Sequence, residues 1–371
     1  MTDLLIVGGG PVGCVVAELA ARLKNWKSIV VEKRNHIAGN CFDSHDKNEQ
    51  LIHKYGPHYF RTNNEKIINY LSKFTEWIEG NYVVKTSYEN QLYSFPINLN
   101  TLEKFYNQKL SATSAKDLLK IKSIEISNPK NSEEFVLSRV GKELYEAFYL
   151  GYTLKQWDKH PKELAPSVCG RIPIRFNRDE TYVDAKFQVM PKKGYTAMFQ
   201  KMIANPLIKF CPQTDYNCIR NEIKPRVATL YTGPIDAYFE FVFGRLPWRS
   251  LDFKWKTFKK ELVQSCVQIN YPNEYSYTRS VEIKHVTKQK CPFSNISYEY
   301  PKPSGPPYYP IPSTQSQLTY EKYKELAERE RIKKNVFFAG RLAEYTYINT
   351  DQAINRGMEV FTEIAEKSEN S

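Results

Sequence analysis

Three glycines and a carboxylate carry the first chemistry legible in this chain. Gly8, Gly10 and Gly13 have the spacing of a dinucleotide-binding turn. The first permits the tight turn, the second lets backbone approach a pyrophosphate, and the third lets a helix pack on a strand. Glu32 follows about 20 residues on, where a carboxylate can accept hydrogen bonds from a ribose diol and favours FAD or NAD over NADP. Two further places hold side chains suited to anions. His58 and Arg61 flank aromatics in a loop opened by Gly56-Pro57, a pair that breaks regular structure. Arg171 and Arg175 flank Ile-Pro-Ile, which predicts an extended segment with both guanidiniums on one face, the geometry a phosphate takes. The plainer readings are a solvated histidine and a solvated edge strand.

These residues need elements to hold them. Residues 4–7 are an apolar strand, 14–23 a helix, and 28–31 a second strand ending in Glu32; the helix start offers N–H groups and a positive dipole end to phosphates. Periodicity predicts a helix over 64–78, a hairpin over 82–95 turning near Glu89-Asn90, and a helical insertion over 101–150 broken at Asn128-Pro129. A helix opens near Met190-Pro191 and runs to about 204. Residues 207–211 and 227–231 read as parallel strands that return to the nucleotide-binding sheet. From 248 to 300 aromatic and polar residues alternate as strands, followed by a Pro-rich stretch over 301–312 with Tyr308-Tyr309. A charged helix over 321–329, a last strand ending in Gly340-Arg341 and a final helix over 352–366 close the chain. Thr350-Asp351-Gln352 reads as its N-terminal cap, a second place for a cofactor to meet N–H donors.

Composition narrows the class. The chain has 371 residues, 41% hydrophobic and 25% charged, ordinary for a globular enzyme of two or three domains. The net charge of +12 suits an anionic ligand, but no basic stretch has base-stacking spacing and no zinc or helix-turn-helix pattern occurs, so nucleic acid is not an expected partner. Seven scattered cysteines without CxxC form neither a disulfide framework nor a metal site and fit a reducing, cytoplasmic setting. The first residues enter a strand directly, with no secretory pattern, and no 18-residue apolar run predicts a membrane span. The 26 tyrosines, many of them late in the chain, offer flat apolar faces with a hydroxyl, useful against sugars and bases.

Taken in order, several stretches resemble the bacterial UDP-galactopyranose mutases: residues 6–13 and 31–40, His53-Lys54-Tyr55-Gly56-Pro57-His58, Gly151-Tyr152-Thr153 with Lys155-Gln156-Trp157, residues 171–176, Tyr231 to Asp236, Tyr277-Thr278-Arg279, and Gly340 to Tyr345. The resemblance implies an α/β fold in which a Rossmann-like FAD-binding domain (1–78, 186–238 and 312–371) joins a helical-bundle domain with a mobile loop (99–156) and a twisted antiparallel β-sheet domain (79–98, 157–185 and 239–311). It implies a homodimer and interconversion of UDP-galactopyranose and UDP-galactofuranose for cell-surface polysaccharide, with FAD active when reduced; no membrane partner is expected, because the chain has no long apolar run. In that chemistry the flavin N5 attacks the anomeric carbon, UDP leaves, and a sugar–flavin iminium opens and recloses without net redox. A reductant such as NAD(P)H or a flavodoxin-like donor is implied as well.

The resemblance assigns roles by position. Arg171 and Arg279 match the pair that grips the diphosphate, and His58 the histidine beside the flavin. Trp157, Tyr182, Tyr308, Tyr309 and Tyr347 match substrate-binding positions. Arg341 matches a cofactor pyrophosphate ligand, and Gly8, Gly10, Gly13, Glu32, Lys33, Asn40 and Asp351 are the remaining cofactor positions. The chain departs from the family where a second histidine is replaced by Arg61 and an acid by Asn349. An added guanidinium donates to an acetamido carbonyl, and a lost carboxylate removes an acceptor. The expectation is altered or broadened sugar specificity, toward UDP-N-acetylgalactosamine or a 6-deoxy sugar nucleotide. The competing readings are an FAD-dependent oxidoreductase of the amine-oxidase type, which gives no reason for two diphosphate arginines, and a non-catalytic nucleotide-sugar or nucleic-acid binding protein.

Overall fold

The structure, a computed structural model, describes residues 1–170 and 172–370; Arg171 lies outside the described residues. Leu4–Val7 is a fully buried apolar strand with the near-continuous hydrophobicity of a sheet covered on both faces. It sits at the centre of a five-stranded parallel sheet in the spatial order Ile208–Cys211, Ser28–Val31, Leu4–Val7, Ala228–Tyr231, Val336–Phe338. The expected return of the chain at 207–211 and 227–231 is therefore present. The helix Pro11–Lys24 carries Pro at its first turn and ends on Asn25 in the left-handed region, a pre-organised start and a usual stop. It packs on the last helix, Thr350–Glu369.

A second, seven-stranded sheet joins the hairpin Val84–Tyr88/Gln91–Phe95 to Trp248–Phe258, Gln268–Asn270, Arg279–Val281, Ser294–Lys302 and Tyr309–Pro310. The hairpin turns at Glu89 and Asn90, both with positive φ, as a two-residue turn of this hand requires. The sheet is antiparallel except between Gln268–Asn270 and Val84–Tyr88, which pair in parallel; these strands are far apart in the sequence and no hairpin constrains their direction. Helices Leu99–Tyr106, Ala112–Lys122, Ser132–Tyr145 and Gly151–Trp157 form the helical part.

Several boundaries differ from the sequence expectation; the charged helix expected over 321–329 is Thr314–Lys334, and the last strand is Val336–Phe338, ending before Gly340-Arg341. The helix expected over 64–78 is Glu65–Leu71, because Trp77–Glu79 pairs with Phe187–Pro191 and tertiary pairing overrides the periodic signal. For the same reason Met190-Pro191 ends a strand, and the next helix is Gly194–Met202. The 248–300 stretch includes a helical turn, Lys284–Thr287. The final helix starts at Thr350 with Asn349 as its cap, so Asp351 lies in its first turn. No helix among the described residues is long and apolar enough to cross a membrane.

Candidate functional site

The glycine cradle is built as the spacing requires. Gly8 has φ +110°, a backbone only glycine adopts without strain, and a Cβ on Gly13 would stand 2.1 Å from the Gly8 carbonyl oxygen. No side chain caps the helix that follows and no acid occupies its first turn, leaving its N–H groups and dipole for an anion. Glu32 is buried at the end of the second strand. Its Oε2 accepts the Gly9 N–H at 3.0 Å and its Oε1 accepts the Arg34 N–H at 3.0 Å. A partly exposed glycine turn, an uncapped helix start and a terminal carboxylate fit the pyrophosphate and ribose of a dinucleotide. Asn40 lines the adjoining cavity and accepts a bond from Arg34 Nη1 at 3.0 Å. Lys33 is turned away, exposed and 3.2 Å from Asp215 Oδ2; the structure does not bring it to the cradle.

A cavity that begins at Asn40 runs to Arg279 and Tyr309 of the seven-stranded sheet. Its lining brings together His58, Arg61, Trp157, Tyr182, Arg279, Tyr308, Tyr309, Arg341, Tyr347 and Asn349, side chains placed there by widely separated elements. Asp351 lies instead in a side cavity behind it, shared with Arg61 and Asn349. Burial raises the Asp351 carboxyl pKa, while the Gln352 N–H, the Thr62 hydroxyl and Arg61 oppose the rise.

Arg279 is the electrostatic centre. Its Nη2 lies 2.8 Å from Oε2 of Glu299, whose side chain is 0% exposed, and 3.4 Å from the Tyr309 hydroxyl. The two residues sit directly opposite each other on paired strands. Burial alone would lower the Arg279 pKa, but Glu299 carries it well above the ordinary value, so the guanidinium is always charged. Its Nε has no partner. An unpaired buried donor is costly, but Nε is sealed from the cavity, so an anion there meets the accessible remainder of the side chain, which is 18% exposed. Tyr309 stacks on Tyr347 at 5.8 Å and lies 6.2 Å from Trp157, so the tyrosine beside the guanidinium is itself held between two aromatic rings. Arg341 lies under the Tyr347 ring and donates to the Tyr308 and Ile348 carbonyls at 3.2 and 2.5 Å; it is a positioned cation held by backbone.

His58 faces this cavity as a neutral ring. Its Nδ1 is 3.0 Å from the Gly56 carbonyl oxygen, which accepts only from an N–H, so Nε2 is the acceptor nitrogen. Burial, helped by His53, Arg341 and Arg279, pushes its pKa down to about 3. His53 takes the His58 backbone N–H on Nδ1 at 3.1 Å, and burial lowers its pKa to about 4.

Arg175, which the sequence paired with Arg171, is committed elsewhere: it is buried and bound to Asp184 at 2.7 Å. Three residues that sequence reasoning did not single out belong to the site. Tyr152 and Asn270 line the cavity and Glu299 backs Arg279. Tyr152 stands inside a matching stretch, so its signal was present. Glu299 is the acid between Tyr298 and Tyr300, and only strand register reveals its partner.

Comparison with known proteins places this geometry. The family model of UDP-galactopyranose mutase matches residues 147–347, and that of an NAD(P)-binding Rossmann-like domain matches 6–74. The chain is 36% identical over 368 residues to the Klebsiella pneumoniae protein named "Probable UDP-galactopyranose mutase", covering 97% of this chain and 94% of that protein. It is 34% identical to the dTDP-fucopyranose mutase of Escherichia coli, covering 97% of each, and 34% identical to the UDP-galactopyranose mutase of Mycoplasma genitalium, covering 95% and 92%. In fold it is similar to a reduced UDP-galactopyranose mutase (TM-score 0.75, 14% identity, 99% and 96% covered) and to putrescine oxidase (TM-score 0.57, 10% identity, 99% of each).

Proposed function

The chain belongs to the UDP-galactopyranose mutase family, a family of isomerases on a flavin-type fold, and from that premise we propose that it interconverts the pyranose and furanose forms of a nucleotide-diphosphate sugar. The observation that carries this reading is Arg279: a permanently charged guanidinium beside the Tyr309 hydroxyl, in the cavity that also reaches Asn40 and Arg341.

Ring contraction requires the ring bond between the anomeric carbon and the 5-oxygen to break and the carbon to close on the 4-hydroxyl oxygen, while the anomeric bond to the diphosphate breaks and re-forms with the diphosphate held in the site. FAD held by Gly8, Gly10, Gly13, Glu32, Asn40 and Arg341 would supply, when reduced, the nucleophilic electron pair for exchange at the anomeric carbon without net redox. The chain's own residues do the rest. Arg279 receives the negative charge that develops on the departing diphosphate, and Arg171 is proposed to join it. Glu299 fixes the guanidinium's orientation. Tyr309 and Tyr347 present hydroxyls to the phosphates and, with Trp157 and Tyr182, exclude water. Neutral His58 offers Nε2 as an acceptor without adding a charge. The three-part domain division and a homodimer belong to the same reading.

Arg61 and Asn349 border the main and side cavities together. Their position supports a substrate differing from UDP-galactose at a ring substituent, UDP-N-acetylgalactosamine or a 6-deoxy sugar nucleotide, and the similarity to a dTDP-fucopyranose mutase adds dTDP-fucose to the panel. The test is turnover of the furanose nucleotides by dithionite-reduced protein, read by chromatography. Arg61→His with Asn349→Asp is expected to move the preference toward UDP-galactose by about tenfold, roughly 1.4 kcal/mol. A wild-type preference for UDP-galactose that the double variant leaves unchanged would refute the specificity argument.

A further inference from the structure

The short helix Gly151–Trp157 supplies one wall of the cavity, through Tyr152 and Trp157. The opposite wall, Asn270 and Arg279, lies at the two ends of the loop joining the strands Gln268–Asn270 and Arg279–Val281, residues that face each other in register. Nothing in the chemistry assigned above fixes the distance between these walls. Lys155 does. Its Nζ reaches back to three carbonyl oxygens of that loop: Tyr271, Tyr275 at 2.7 Å and Tyr277 at 3.4 Å. An ammonium has three donors, and here all three lie on one loop. Burial pushes the lysine pKa down to about 8, against the pull of nearby Glu274, so this is no solvated side chain.

Two further contacts tie the loop to the start of this helix and to the turn Glu146–Leu150 that precedes it. Asn273 Nδ2 donates to the Ala147 carbonyl at 3.0 Å. A Cβ on Gly151 would come within 2.5 Å of both the Pro272 carbonyl oxygen and Asn273 Oδ1, so the loop lies directly on the helix start. The far end of the helix is fixed by buried Arg249, whose Nε and Nη2 take the Gln156 and Lys155 carbonyls at 2.9 and 3.2 Å; these are terminal carbonyls with no intrahelical partner.

We propose that Lys155 is a positioning residue: by clamping the 271–277 loop onto the Gly151–Trp157 helix, it sets the spacing between Trp157 and Arg279 and with it the affinity for the nucleoside diphosphate. The inference rests on the proposed function for its ligand, but concerns a residue that touches no substrate. An interaction lost equally from ground and transition states raises KM and spares kcat. The test uses the FAD-loaded full chain, with UDP as probe in calorimetry and the mutase assay run in parallel. Lys155→Met is expected to weaken UDP binding and raise KM about tenfold, with kcat within threefold, FAD content unchanged and Tm lowered only slightly. Lys155→Arg, which keeps charge and donors, should recover most of the loss. Asn273→Ala, at an exposed position, should shift KM about threefold in the same direction. Wild-type UDP affinity in Lys155→Met overturns the proposal, as does loss of affinity only in proportion to lost FAD and Tm. A wild-type holoprotein that binds no UDP overturns the functional reading first, and the clamp as a nucleotide device with it.

Discussion

Arg279→Lys separates a diphosphate grip from a merely basic pocket. Lysine keeps the charge but loses the planar fork. In the structure Nη2 is engaged by Glu299 and approached by Tyr309, while Nε is unpartnered. An ammonium drawn to Glu299 keeps other N–H groups, but all radiate from one nitrogen and cannot reproduce the separated donors of the fork. Each charge-assisted hydrogen bond contributes about 1.5–3 kcal/mol, so losing one contact to the diphosphate weakens UDP by about 10- to 150-fold. Uridine, which has no phosphate, is the control. Calorimetry on the holoprotein should show the UDP loss with uridine affinity unchanged within about twofold. Equal losses for UDP and uridine, or a UDP change below threefold, would refute the assignment of Arg279 to the phosphates.

Glu299→Ala leaves the Arg279 charge buried without its counter-ion, a change of about 3–5 kcal/mol for such pairs, and should lower Tm markedly; added UDP should restore part of the loss, and a Tm unaffected by UDP would count against Arg279 meeting the diphosphate. Gly13→Ala drives a methyl group to 2.1 Å from the Gly8 carbonyl oxygen and should yield protein without flavin, measured by absorbance after desalting. His53 and His58, with pKa values lowered to about 4 and about 3 from 6.5, are neutral when folded but bind protons when unfolded. Their contribution is therefore complete above pH 6.5 and declines as pH falls from there toward 4, with a slope of at most about 1.4 kcal/mol per pH unit for each histidine. Denaturant titrations between pH 7 and 4.5 should show that decline, and His53→Asn should reduce it.

The dinucleotide cradle was legible because its signal is local: strand, turn, helix and carboxylate lie within 32 residues, and each obeys its own short-range rule. The hairpin over 84–95 was legible for the same reason. Sites assembled by distant pairing were not. Glu299 becomes the partner of Arg279 only through the register of two antiparallel strands, and the parallel pairing of Gln268–Asn270 with Val84–Tyr88 has no local signature at all. Arg175 looked like a phosphate ligand beside Arg171, but Asp184, nine residues on, takes it. The helix cap slipped by one residue because Asn349 and Thr350 are both competent caps, and the reciprocal bond between Asn349 N–H and Gln352 Oε1 at 2.8 Å decides between them.

The central claim is isomerisation at a reduced flavin with no net redox. It is tested most directly by anaerobic incubation of dithionite-reduced, desalted holoprotein with a UDP-furanose, recording product and flavin absorbance together. The account requires many turnovers to the pyranose while the flavin spectrum stays reduced, and none with oxidised protein. Flavin oxidation in proportion to substrate consumed, or turnover independent of flavin state, would contradict it.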